Sequence, residues 1–199
     1  MKLFTGILKL FGKKSDESKI PKEIDDLINQ HMNRTIHKTL TENIIDETSD
    51  DDLLQIVFDN LSAKQSDYSN EFEIVMSWNK SRQAIYIIWL LETEVNNGGF
   101  NQFYSNSSGE FSVFLPEVLK LVGAEKFAVL AKNANDVFEN ENQKITQSQD
   151  GTIEGFSKSY EDNPLNELDD VFYELYNEEN LHQIQIDYIR KHKLDFVNQ

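Results

Sequence analysis

Glu179 and His182 stand three apart, so on a helix a carboxylate and an imidazole share one face. Di-iron bundles use that pair, but they need two of them and two further carboxylates. This chain offers one, so no metal is expected. His31 and His37 are six apart and do not share a helix face, so they read as surface residues. Asp50, Asp51 and Asp52 lack the D-x-[DN]-x-[DN]-G spacing of a calcium loop. Ser107 and Ser108 sit between Asn106 and Gly109, without a G-x-S-x-G elbow or a neighbouring base. No P-loop and no dinucleotide fingerprint occurs, and cysteine is absent, which excludes thiolate sites and disulfides. The expectation is no catalytic residue, no metal and no cofactor. Glu92 and Glu94 cannot face one side of a helix. Glu94 is the one expected near the following loop, paired with Arg82 or accepting backbone N–H groups from Gly98 to Asn101. A hydrolytic or small-molecule site around Asn96 to Gly109 stays a third class of reading, which a perturbed Glu94 in a pocket would favour.

The elements that position these groups read as helices throughout. The strongest apolar run, Ile85 to Leu91, is apolar nearly all round and predicts a buried central helix from Asn79 or Ser81 to about Asn96. Asn96-Asn97-Gly98-Gly99 is expected to end it in a sharp turn. Phe100, Phe103 and Tyr104 then share one face of a short element closed by Asn106 to Gly109. Before the central helix, the spacing predicts helices near Lys22 to Asn33, Thr41 to Glu47 and from Asp50, capped by Ser49. Tyr68 to Trp78 fits a helix or a strand. After Gly109, a helix from near Leu115 to Gly123 and one from Ala124 to Asn140 form a hairpin. A short helix through Ile153, Phe156 and Tyr160 is followed by one after Pro164, with Leu165, Leu168, Val171, Phe172, Leu175 and Tyr176 inward. Glu167, Asp169, Asp170 and Glu174 are placed on its outer face. The last helix runs from about Glu178 to Lys193. The fold class is therefore all-α, a multi-helix domain of about eight or nine helices.

Charge is the dominant global property. The 199 residues hold 35 acids and 19 bases, a formal charge of −16. Lys2, Lys9, Lys13 and Lys14 lie in the first 14 residues, which hold no acid, so the remainder carries 35 acids against 15 bases, or −20. Such a body repels nucleic acid and attracts basic protein surfaces in a salt-dependent way. Residues 1–20 read as a basic amphipathic helix plus linker, able at most to touch a membrane weakly. Residues 21–199 read as the acidic domain. No run is long enough to span a membrane, and a cytoplasmic location is expected.

Two segments carry a family resemblance. Glu94, Asn96, Asn97, Gly98, Gly99, Phe100, Gln102, Phe103, Asn106, Ser107, Ser108 and Gly109 follow an E-x-N-N-G-G-F-x-Q-F/Y-x-N-S-S-G pattern. Leu168-Asp169-Asp170-Val171-Phe172-Tyr173 follows an L-D-D-x-F-Y pattern. Both resemble the DNA-mimic protein 19 family of bacteria, over roughly Asp50 to Val197. The resemblance implies a protein that occupies the basic DNA-binding surface of a transcription factor or similar partner, and a homodimer. Its signature residues read as scaffold. The carboxylates that could stand for phosphates are Asp50, Asp51, Asp52, Glu161, Asp162, Glu167, Asp169, Asp170 and Glu174. Asp169 and Asp170 lie within a family motif, so one of them could pack or cap instead. The alternative is an immunity or antitoxin-like protein that neutralises a basic toxin such as a nuclease.

Overall fold

A computed structural model describes residues 22–65 and 68–197. The basic amphipathic segment expected over residues 1–14 lies outside the described residues. Every regular element among the described residues is helical, which makes the protein all-α. The chain divides after Ile36. In the first unit, α1 (Lys22–Met32) is amphipathic through Ile24 and Ile28.

The second unit begins at His37 and holds nine α-helices among its described residues. They are α2 (Glu42–Glu47), α3 (Asp50–Ser62), α4 (Glu71–Ser77), α5 (Lys80–Ser105), α6 (Leu115–Val122), α7 (Glu125–Thr146), α8 (Ile153–Lys158), α9 (Asn166–Leu175) and α10 (Leu181–Lys191). The stretch that fitted a helix or a strand is a 3-10 turn at Tyr68–Asn70 leading into α4. Another 3-10 segment, Ser107–Phe114, folds back on α5 before Pro116 opens α6.

The spine is α5. Asn79 caps it by accepting the Arg82 N–H at 2.9 Å. Ile85, Tyr86, Ile87 and Ile88 are each at most 1% exposed, so the helix is buried on every side over this stretch, as its all-round apolar run predicts. Around it pack α3, α4, α6 and α9. Gly123 takes a left-handed conformation (φ 97°) and turns α6 into α7, making the expected hairpin.

Two local expectations change. Ser49 does not cap α3 with its side chain; its hydroxyl donates to Asp52 instead. Asn96 and Asn97 do not end α5. The helix runs through them, breaks at Gly98 and Gly99, and resumes to Ser105. Helix propensity at two asparagines is only modestly poor, whereas Gly99 at φ 70°, ψ −176° lies in a region open essentially to glycine alone.

Candidate functional site

The break in α5 frees backbone groups that a continuous helix would pair, and they must be satisfied from elsewhere. Asp169 of α9 supplies the first partner. Its carboxylate accepts the Phe100 N–H at 2.7 Å, capping the resumed helix from a residue 69 positions away. The carboxylate lies where a Cβ on Gly99 would stand, so only glycine lets the two elements approach this closely. Two tyrosine hydroxyls take carbonyls at the same break. Tyr173 of α9 donates to Val95 O at 2.8 Å, and Tyr160 donates to Gly98 O at 2.8 Å. Burial, opposed by the Phe100 N–H and reinforced by the charge of Asp170, pushes the Asp169 carboxyl up to about 6.

On the other side of the break stands Glu94. Its Oε2 accepts from Gln102 Nε2 at 2.6 Å and Asn106 Nδ2 at 2.8 Å, and its Oε1 accepts from Ser108 Oγ at 3.0 Å. Gln102 in turn accepts from Asn97 Nδ2 at 2.8 Å. One carboxylate thus ties the helix before the break to the residues after it. The expected pairing with Arg82 does not form, because the Arg82 guanidinium donates to Val197 O. Nor does Glu94 take the backbone N–H of Phe100, which Asp169 holds. Beneath the break, Phe100 and Phe103 are wholly buried, and Asn101 binds Ser159 and Asn163 inside the protein.

Most members of both sequence motifs fall on this joint or next to it, while Asp170 and Val171 turn outward. Gly109 packs against the carbonyls of Phe103 and Tyr104, and Ser107 begins the 3-10 segment. Asn97, Gln102, Asn106 and Ser108 bind one another and Glu94, and Asn96 donates to Glu92 O.

Sequence reasoning passed over Glu92. It is 5% exposed and sits under α9 and α10, accepting from Tyr176 OH at 2.5 Å and Gln185 Nε2 at 2.8 Å. Burial raises its pKa, against the two hydrogen bonds that lower it. Burial and the neighbouring Glu92 carboxyl raise that of Tyr176. The signal was legible: Glu92 is four residues from Ile88 and three from Val95, on the inward face of the spine.

The candidate carboxylates separate into engaged and free groups. Asp169 faces inward, and Val171, expected inward, is 41% exposed. Both corrections follow from one rotation of α9, which is anchored by Phe172, edge-on to Phe100, Phe127 and Tyr176. Asp50 pairs with Arg190, whose fork also donates to Ile45 O at 2.8 Å and Thr48 O at 2.9 Å. The Arg190 hydrogen bond holds the Asp50 carboxyl below the usual carboxylate range. Asp51 and Asp52 are exposed at the start of α3. Glu161, Asp162, Glu167, Asp170 and Glu174 are exposed and make no side-chain hydrogen bond or ion pair among the described residues. Glu179 of the E-x-x-H pair accepts the Lys126 and Phe127 N–H groups at the start of α7. Among the described residues no group of three or more His, Asp or Glu side chains could hold a metal ion.

No curated protein and no solved structure matches the chain. One family model does, and it covers residues 76–192 under the description DMP19-like protein. That span holds the whole of the spine, its break, Glu94 and the Asp169 cap, and it exceeds half of the chain. The two motifs that meet at Gly99 and Asp169 thus fall inside one matched domain, and the chain belongs to the DMP19-like protein family.

Proposed function

We propose that this protein is a non-enzymatic acidic binding module that occupies the basic DNA-binding surface of a protein partner, such as a transcription factor. The observation that carries the reading is the outer face of α9. Glu167, Asp170 and Glu174 stand at i, i+3 and i+7, exposed and unpaired. Their span is about 10.5 Å along the helix at 1.5 Å per residue. That is the axial length of about three nucleotides of one DNA strand at 3.4 Å each. Glu161 and Asp162 precede the helix and extend the charge. Arg and Lys side chains that grip phosphates accept carboxylates by the same charge-assisted bonds.

The reading includes a homodimer, on the strength of the family resemblance, which would lengthen the charge track. It also includes a cytoplasmic location, with weak membrane contact through residues 1–14. The signature around Glu94 and Gly99 is scaffold in it, and supports α9 from behind.

A pull-down from host lysate, washed at low and then high salt and analysed by mass spectrometry, tests the reading. Expected is a DNA-binding regulator or nucleoid protein that salt releases and duplex DNA displaces. A single toxin held through the high-salt wash moves the assignment to an immunity protein. No specific protein in either wash overturns both.

A further inference from the structure

We infer that the docking of α9 on α5 is proton-linked: it helps to cover Glu92 and presses Asp169 onto the break, and neither carboxyl group has a cationic partner among the described residues. The inference rests on the proposed role of α9 for its significance, but its physics belongs to the free protein.

Glu92 belongs to α5 and is covered by Tyr176 at the end of α9 and by Gln185 of α10. Asp169 belongs to α9 itself and is pressed on Gly99 and Phe100. A carboxylate removed from water without a cation favours its neutral form. No Lys or Arg reaches either group among the described residues. Around Asp169 stand Asp170 and Tyr173 of α9 and Tyr160 of the preceding loop, with Glu94 of α5 beyond Tyr160, all neutral or anionic. Around Glu92 stand Tyr176, Gln185 and Asn96. Phe127 of α7 packs edge-on against Phe172 and Tyr176, and the Lys126–Glu178 pair lies past the end of α9. Gln185 adds an independent sign. Its Oε1 is buried without a partner. Turned over, the amide would offer that oxygen to a Glu92 hydroxyl.

Opening α9 returns Asp169 to its ordinary range near 3.8 from about 6. The closed state therefore binds a proton more readily than the open one. Closure is fully favoured below about pH 4 and weakens as pH rises through 6.

Native-state hydrogen exchange on the purified protein between pH 4.5 and 7.5, corrected for intrinsic exchange, tests this. The amides of Asp170 to Leu175 are expected to lose protection as pH rises. The loss from Asp169 across this range is about 25-fold, part of the roughly 160-fold that a move from about 6 to 3.8 allows. Amides of Ile85 to Ile88 are expected to change less. Asp169→Asn should flatten most of the α9 slope, and Asp169→Asn with Glu92→Gln the rest. A flat α9 profile in the unaltered protein overturns the proposal, as does an equal slope in α5 and α9 or an unchanged slope in the double variant. No partner is used, so failure to find one leaves the result standing, and a flat profile leaves the binding reading standing.

Discussion

Asp169 caps Phe100 across the fold, its carboxylate resting on the bare Cα of Gly99 at the break in the spine helix. The contact joins two motifs separated by some 70 residues of chain, and it makes each the reason for the other. Glycine is required by the conformation and by the approach of the carboxylate. The carboxylate is required by the backbone N–H that the break leaves open.

Gly99→Ala should therefore be costly. Strained backbone of this kind is worth about 1–3 kcal/mol, and displacement of the Asp169 cap about 1 kcal/mol more. Gly123→Ala provides the contrast. Its φ is also positive, but a Cβ there meets nothing within 4 Å, so about 1 kcal/mol is expected. Urea unfolding of both variants measures the difference.

Asp169→Asn retains an oxygen for the Phe100 N–H and removes a charge that burial disfavours. At pH 7.5 it should be at least as stable as the parent, with the advantage vanishing near pH 4, where the parent carboxyl is already protonated. Asp169→Ala should fall about 1 kcal/mol below Asp169→Asn at both pH values. Equal stability of the two variants would mean that the cap contributes nothing.

Glu94→Ala leaves Gln102, Asn106 and Ser108 without their common acceptor. A loss of about 1–3 kcal/mol is expected, with Glu94→Gln intermediate because it keeps one acceptor oxygen. Thermal unfolding checks the order, and a silent Glu94→Ala would exclude the hub role.

Arg190→Lys cannot reproduce the fork that holds Ile45 O, Thr48 O and Asp50 together. Limited proteolysis should cut earlier between Glu42 and Asp52 in this variant. Since Asp50 is held below its ordinary range, its part of the restraint is present at neutral pH and lost as pH falls through that lowered value.

Glu167→Gln, Asp170→Asn and Glu174→Gln together should leave stability within about 0.5 kcal/mol, because all three are exposed and unpaired. Binding to a basic partner should weaken and become less salt-dependent. Unchanged binding and salt dependence would remove α9 from the interface.

The all-α class, the buried spine, the α6–α7 hairpin and the family were all legible in the sequence. They follow from local rules: an all-round apolar run must be buried, Gly123 suits a left-handed turn, and Pro116 suits a first turn. The outer-face placement of Asp169 and the inward placement of Val171 fail, whereas the expectation that one of Asp169 and Asp170 packs or caps holds in Asp169, because an apolar period leaves the exact rotation of a helix open. The rotation of α9 was decided by where Phe172 finds Phe100 and Phe127. Glu92 lay in view on the inward face, but its partners come from Tyr176 and Gln185, 84 and 93 residues away. The same holds for the break in α5. The sequence placed glycines there, and only tertiary packing supplied the Asp169, Tyr173 and Tyr160 groups that let a broken helix stay buried. Local chemistry determines which backbone groups need partners, and the folded chain alone determines which side chains arrive to meet them.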